Sequence, residues 1–458
     1  MKKIKTNEKL KRKAYSNQTG ITLIALVVTI VVLLILAGVS LNAIFSENGI
    51  IKRAQDAQNK MDEATQNDLD SINELNNWID GKINGSSGGN TTGGDDKPST
   101  SDLPSTSYTI PYYPDNTFTK VEGTDLSNGL VIKDTSENEY VWIEVPKTAE
   151  VYPTAGLKIT NFTEDEYTAI ETDLHTYTDY YRRDKSGTLT SYKDEYSSDK
   201  VEAGTGLTSA QYTELKQKML KSVYENGGFW IGRYEAGITT NRTSEDEEIT
   251  AAPLSKAGTV ENAVYPYNYV TCSQAQTIAS KLSTGKNYTS SLMFGEQWDL
   301  VLKHIETKIG SENLISNGKN ILTEDSSLWG NYYNASFTIN RGKYADYTNF
   351  TLSTKWTLYN EETSNNFVKN GVKQVQSSGN GILLTTGASD ICKKMNIYDL
   401  AGNVSEWTLE YAADTYSPCA ARGGSYFNDG SNSPASNRSS GGTAVSRDYI
   451  GFRPSLFK

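Results

Sequence analysis

Asp399-Leu400-Ala401-Gly402-Asn403-Val404-Ser405-Glu406-Trp407, followed by Ala421-Arg422-Gly423-Gly424-Ser425-Tyr426 and closed by Ile450-Gly451-Phe452-Arg453-Pro454, is the stretch that decides the fold of this chain. Trp407, like Trp230 and Trp298 upstream, is expected in the core, because an indole supplies large buried area to a domain rich in loops. Gly423 and Gly424 permit a tight backbone path beside the strand that ends at Tyr426. Arg422 and Arg453 are placed to tie the C-terminal loop to the core through bidentate hydrogen bonds.

Upstream lie further motifs in a fixed order: Phe229-Trp230-Ile231-Gly232-Arg233-Tyr234-Glu235, then Tyr265-Pro266-Tyr267-Asn268-Tyr269-Val270 with Ser273-Gln274-Ala275, then Ser290-Ser291-Leu292-Met293-Phe294-Gly295-Glu296-Gln297-Trp298, then Trp329-Gly330-Asn331. Short β-prone runs such as Leu130-Val131-Ile132 and Tyr140 to Val145 precede them, separated by turn residues. No alternation of helix and strand suggests a doubly wound sheet. Residues 147–215 are polar and charged with scattered Tyr, and read as an insertion running into a helix near Ser209 to Glu225.

Taken together, these motifs resemble the domain of the formylglycine-generating (sulfatase-modifying) enzymes, over about residues 125–458. The Pro-Thr pair of that family's pattern is missing before Trp298, and one extra residue intervenes. The resemblance implies an α+β fold of the C-type-lectin type, low in regular secondary structure and able to hold long loops. It also implies where chemistry would lie: the catalytic members carry two cysteines just past the R-G-G motif. Here those positions hold Asn428 and Ser433, and Cys419 falls on the other side of the motif. Ser and Asn cannot replace a thiol pair that binds copper and activates oxygen. The related iron-dependent sulfoxide synthases use a histidine-rich helix, whereas this chain has only His175 and His304. One metal remains implied by the resemblance, a structural calcium held by Asp399, the carbonyls of Gly402 and Val404, and Glu406, hard oxygen ligands suited to that ion. The alternative is a solvated turn in which Glu406 caps backbone amides.

Composition bounds the rest. The chain has 458 residues and is long enough for a sizeable core with extensions. Tyr (29) far outnumbers Phe (11), the balance of a polar binding surface, since Tyr buries a ring and keeps a polar tip. Net charge is −11, and seven Lys/Arg against one Glu in the first twenty residues leave −17 for the remainder. Such an acidic body excludes nucleic acid as a partner, because phosphate binding needs clustered Lys and Arg. Cys272, Cys392 and Cys419 are spaced too irregularly for a zinc site or a disulfide framework. They read as buried small hydrophobes, or as one incidental pairing of Cys392 with Cys419. With two histidines a three-histidine metal site cannot be built.

At the N-terminus, residues 1–20 form a basic leader ahead of an uncharged apolar run at 21–41. As a helix that run spans about 30 Å, one bilayer core. The positive flank puts the N-terminus in the cytoplasm and the rest outside. A cleaved secretory signal would have a shorter apolar stretch; a plain signal-anchor is the simple alternative. Gly20 directly before Ile21-Thr22-Leu23-Ile24-Ala25 resembles the type IV prepilin leader, which implies cutting by a prepilin peptidase after Gly20 to leave Ile21 as the first mature residue. That family usually has Glu where Ala25 stands, a departure that fits a minor or tip pilin, or a pseudopilin-type anchor, with other pilins as partners. Ile50, Ala54, Ala57, Met61, Ala64, Ile72, Leu75 and Ile79 continue the helical period, so residues 21–83 read as one long pilin-like α-helix. Residues 84–107, rich in Gly, Ser, Thr, Asn and Asp, read as a flexible linker, and 108–458 as the globular domain.

Function is expected in the C-terminal loop at 425–449. Ser425, Tyr426, Phe427, Asn428, Asp429, Asn432, Ser433, Asn437, Ser439, Ser440, Ser446, Arg447, Asp448 and Tyr449 form the candidate ligand-binding set between the R-G-G and I-G-F-R-P anchors. Tyr, Ser, Gly and Asn supply hydrogen bonds and ring area at low ordering cost, as adaptable recognition loops do. The layout also resembles the variable C-terminal region of proteins diversified by retroelements. An ordinary polar surface loop is the plainer alternative. The leading expectation is a non-catalytic, membrane-anchored protein displayed at the cell surface or on a pilus, gripping a protein or glycan on a cell or phage surface. The alternatives are a minor structural pilin or pseudopilin of a type IV filament or secretion system, and an enzyme of another type using carboxylates such as Glu235 or Glu296.

Overall fold

In the computed structural model, residues 111–196, 204–361 and 366–458 are described. The expected leader, pilin-like helix and linker at 1–20, 21–83 and 84–107 lie outside them. Among the described residues no helix is long and apolar enough to cross a membrane.

The framework is a six-stranded sheet in the order β1-β2-β3-β4-β13-β5, formed by Thr119–Lys120, Val131–Lys133, Glu139–Glu144, Gly228–Gly232, Pro454–Phe457 and Thr289–Leu292 respectively. Its central strands are buried on both faces, which is why Tyr140-Val141-Trp142-Ile143 and Phe229-Trp230-Ile231 read as unbroken apolar runs instead of alternating. Trp142 and Trp230 are direct cross-strand partners, with ring centroids 5.1 Å apart. The last strand, β13, inserts between β4 and β5, with Ser455 opposite both Ile231 and Ser291. The C-terminus therefore closes the core, through pairings more than 160 residues distant in sequence.

Among the described residues the α-helices around this sheet include α1 (Glu164–Tyr177), α2 (Ser209–Asn226), α3 (Cys272–Ala279) and α4 (Gly295–Ile309). The first three begin with capping boxes, Thr163 with Glu166, Thr208 with Gln211 and Thr271 with Gln274, which satisfy backbone donors at each N-terminus. Helix α2 starts where the sequence predicts one and stops at Gly227, whose φ of +70° ends the helix ahead of β4. Helix α4 takes its N-terminal cap from afar: Asp194 accepts from the Gly295 and Glu296 amides at 2.9 and 2.7 Å. The expected insertion at 147–215 is thus built into the domain. Ile170, Leu174 and Tyr181 join the main core cluster, and Asp194 serves another element's N-terminus.

Of the smaller sheets among the described residues, two bear on the site. One is three-stranded, in the order β7-β6-β8 from Thr351–Leu358, Lys343–Thr348 and Gly381–Leu384. The other runs β11-β10-β9-β12, from Arg438–Gly441, Cys419–Arg422, Ser405–Tyr411 and Ile450–Phe452. Its strands are antiparallel except for the β9 and β12 pair, which is parallel. Trp230, Trp298 and Trp407 are all buried, as their size requires.

Burial fixes a pH response on α4. His304 is 4 % exposed, and its Nδ1 accepts from the Glu144 amide at 3.2 Å, so the ring is held neutral. Burial, helped by Lys308, pushes its pKa down to about 3. A histidine whose folded pKa lies below its unfolded value of about 6.5 costs stability as pH falls through that value. Between pH 7 and 5 this one group removes about 2 kcal/mol of folding free energy. His304→Asn, which keeps an acceptor, is expected to remove that slope; denaturant titrations at both pH values, with wild type and variant losing the same amount, would contradict it.

Candidate ligand-binding face

The β11-β10-β9-β12 sheet sorts its side chains by the two-residue period of a strand. Glu406 pairs across with Arg422, and Arg422 with Arg438, so these three share one face. Trp407 pairs with Ala421, Ala421 with Ser439, and Ser405 with Ile450, so these share the other.

The first face turns inward onto charge. Arg422 is wholly buried, and donates from Nη2 to Asp299 Oδ1 at 2.7 Å and from Nη1 to Glu410 Oε2 at 3.3 Å. Arg438 donates from Nε to Glu410 Oε1 at 2.7 Å and from Nη2 to Asp299 Oδ2, closing a four-membered ionic ring. Burial would raise the Glu410 carboxyl, but Arg438 and Arg422 outweigh it and hold its pKa below the ordinary carboxylate range. Arg453 acts alike at the far edge: Nε and Nη2 meet the two Glu406 oxygens at 3.0 and 2.7 Å, while other donors reach the Gly232 and Tyr398 carbonyls, both at 2.8 Å. Both arginines thus fix the C-terminal segment to the core, Arg453 in the bidentate manner expected from the sequence and Arg422 by dividing its donors between two carboxylates.

The second face is the floor of a cavity of about 390 Å³. Small side chains make it concave: Ser405, Ala421, Ser439 and Gly441 leave space beside the Trp407 ring, whose Nε1 is turned away to donate to the Val270 carbonyl at 2.9 Å. A Cβ on Gly441 would stand 2.9 Å from Trp407 Cη2, so a glycine is needed where β11 passes the indole. The walls come from the chain on either side of β11: Phe427, Asn428, Ser433 and Asn437 before it, Val445, Arg447 and Tyr449 after it.

Eight of the fourteen side chains expected to bind ligand therefore gather on one cavity: Phe427, Asn428, Ser433, Asn437, Ser439, Ser440, Arg447 and Tyr449. Three others are corrected by their burial. Ser425 donates its hydroxyl to Asn428 Oδ1 at 2.9 Å, Tyr426 donates to Asp448 Oδ2 at 2.7 Å and lays its ring 5.1 Å from Tyr347, and Ser446 is 4 % exposed. The left-handed Gly423 and Gly424, with φ of +84° and +69°, steer the chain inward before it returns to the surface at Phe427. Asp429 is occupied by the Ser431 amide and hydroxyl and by the Tyr333 hydroxyl, Asp448 by Tyr426, and Asn432 is exposed outside the cavity lining. The sequence reading missed the floor. Its signal was the alternation itself, since Glu406, Arg422 and Arg438 on one face put Ser405, Trp407, Ala421 and Ser439 on the other.

At the 399–406 turn the buried Asp399 Oδ1, and Oε2 of neighbouring Glu235, have no hydrogen-bond partner, while the other carboxylate oxygens are occupied. Both Glu406 oxygens are taken by Arg453, and Asp399 Oδ2 accepts from the Gly387 amide at 2.7 Å. Burial pushes the Asp399 carboxyl up to about 7, and burial with neighbouring Asp399 and Glu406 raises Glu235 well above the ordinary carboxylate range. Asn403 Nδ2 donates to Glu235 Oε1. Among the described residues no group of three or more His, Cys, Asp and Glu is arranged to hold a metal. Glu235 and Glu296, the carboxylates of the enzyme alternative, are 0 % and 1 % exposed, and Glu296 pairs with His175 at 2.8 Å. The three cysteines are free and buried, and Cys419 neighbours Cys272, not Cys392.

Residues 327–455 match the family model of the sulfatase-modifying factor enzyme 1-like domain. The match takes in the 399–407 turn and all four strands of the cavity sheet together with its walls. No curated protein matches the chain. Solved structures similar to it include Treponema denticola variable protein 1, with 13% identity over 51% of this chain and 85% of that one and a TM-score of 0.27. CarF gives 13% identity over 50% and 86% of the two chains with a TM-score of 0.28. PvdO from Pseudomonas aeruginosa gives 14% identity over 51% and 82% with a TM-score of 0.25.

Proposed function

We propose that this chain is a non-catalytic binding protein displayed outside the cell, gripping a ligand in the cavity between the β11-β10-β9-β12 sheet and the loops at 427–437 and 442–449. The supporting observation is the placement of Asn428 and Ser433. They occupy the positions where the resembled enzymes carry their catalytic cysteines, and both line this cavity. A site with amide and hydroxyl in place of two thiols keeps a concave surface and loses the nucleophiles and metal ligands that oxygen chemistry needs. Its size lies within the range of small-ligand pockets, about 300–1,000 Å³. Its walls belong to loops whose side chains can change without disturbing the ionic ring beneath, as a surface-binding or diversified protein requires.

The experiment is a steric block. Ser439→Trp is expected to abolish binding of the full-length chain to the cell or phage surfaces it recognises; undiminished binding would count against the reading.

Display is the second half of the proposal. The basic leader, Gly20 and the apolar run at 21–41 would anchor the chain with residues 108–458 outside. N-terminal sequencing of the protein from membranes is expected to begin at Ile21, after cleavage by a prepilin peptidase; a chain retaining Met1 and the leader would leave a plain signal-anchor.

A further inference from the structure

We infer that the ligand of this face is an acidic sugar, a hydroxylated ring bearing a carboxylate, such as a uronic or sialic acid residue at the end of a glycan. The inference rests on the binding role proposed above and adds the ligand's charge and class.

Charge comes first. Arg447 is the one charged side chain in the cavity lining, in a chain whose net charge is −11. It is exposed, forms no ion pair among the described residues, and donates from Nη1 to the Ser446 carbonyl at 3.0 Å, leaving other guanidinium donors for a guest. Of the nearby carboxylates, Glu406 is held by Arg453 and Glu410 by Arg422 and Arg438, while Asp448, outside the lining, accepts from the Tyr426 hydroxyl and feels the Arg447 charge without pairing with it. The lining itself offers a cationic ligand no carboxylate, whereas an anion repelled by the rest of an acidic body would find its partner in Arg447.

The uncharged lining sets the class. Seven of its side chains are hydroxyls or amides, five Ser and two Asn, supplying donors and acceptors in several directions. Against them stand the Trp407 ring and the Phe427 and Tyr449 pair, whose centroids lie 4.5 Å apart. A sugar ring matches both surfaces, with an apolar C–H face for aromatic rings and hydroxyls around its edge. A carboxylate on that ring adds a fork for Arg447. A peptide carboxy-terminus shares the anion but not the ring of hydroxyls.

The test uses the full-length chain in detergent, titrated calorimetrically with oligosaccharides ending in glucuronic or N-acetylneuraminic acid. Neutral counterparts ending in glucose or galactose and a pentapeptide with a free carboxy-terminus complete the panel. Acidic sugars are expected to bind roughly tenfold or more tightly than neutral ones. Arg447→Gln should erase that margin, Arg447→Lys should restore part of it, and Ser439→Trp should abolish binding altogether. Equal binding of neutral and acidic sugars, insensitive to Arg447→Gln but lost in Ser439→Trp, would overturn the inference and leave the cavity as the binding site. Preference for the peptide, or no binding of any acidic sugar, would likewise overturn it. Acidic-sugar binding untouched by Ser439→Trp would overturn the binding face itself.

Discussion

Arg422→Ala is expected to lower the free energy of unfolding by about 3–5 kcal/mol, the cost of leaving a buried ion pair without one partner. Arg422 lies at 0 % exposure between Asp299 and Glu410, and its Nε also donates to the Asn437 carbonyl at 3.1 Å. Without it, two buried carboxylates share the single guanidinium of Arg438, with Arg182 no nearer than 3.9 Å to Asp299. The lost donor also frees Asn437, which sits at the base of the cavity wall, and removes the guanidinium that lies 5.4 Å from the Trp298 ring. Arg422→Lys should fall between wild type and Ala, since one ammonium cannot fork to both carboxylates. Urea titrations check this directly; a change within about 0.5 kcal/mol, the range of ordinary surface substitutions, would show that the ring does not hold the sheet.

The same ring explains which features were legible in the sequence. Trp230, Trp298 and Trp407 announce a core by size alone, and the β3 and β4 strands announce themselves by unbroken apolar runs. The R-G-G and G-F-R-P motifs mark positions where arginine meets buried carboxylate. What composition could not reveal is direction. Ser425, Tyr426 and Ser446 look like their neighbours in a Tyr-, Ser- and Asn-rich loop, yet the chain dives inward after Gly424, and Tyr426 finds Asp448 and Tyr347 there. Arg438 lies in the same loop and belongs to the scaffold. Likewise the polar stretch at 147–215 gave no sign that Asp194 would cap α4 across a hundred residues, because a cap supplied from another element leaves no local pattern. Glu406 carries the opposite lesson. Its place in the motif pointed to a cation, and the cation it meets is the guanidinium of Arg453.

Binding of the displayed chain is expected to collapse in Ser439→Trp, by roughly a hundredfold or more, since a blocked central position removes the best-packed contacts of an interface. Ser439 is exposed on β11, faces the floor beside Ala421, and makes one side-chain hydrogen bond, to the Ala421 carbonyl at 3.3 Å. An indole there is expected to enter the cavity of about 390 Å³, since Ser439 is exposed and lines it. Folding should therefore change by less than about 1 kcal/mol, which separates a blocked site from a broken protein. Thr354→Trp, on the exposed strand β7 outside this sheet, supplies a control of equal bulk.

The deciding measurement is quantitative binding of the full-length wild type, Ser439→Trp and Thr354→Trp to the same target cells or phage, with melting temperature recorded for each. Loss confined to Ser439→Trp, with all three chains melting alike, is the predicted result. Wild-type binding by a folded Ser439→Trp chain would contradict the account, because the indole would stand at the centre of the floor on which the ligand is proposed to rest.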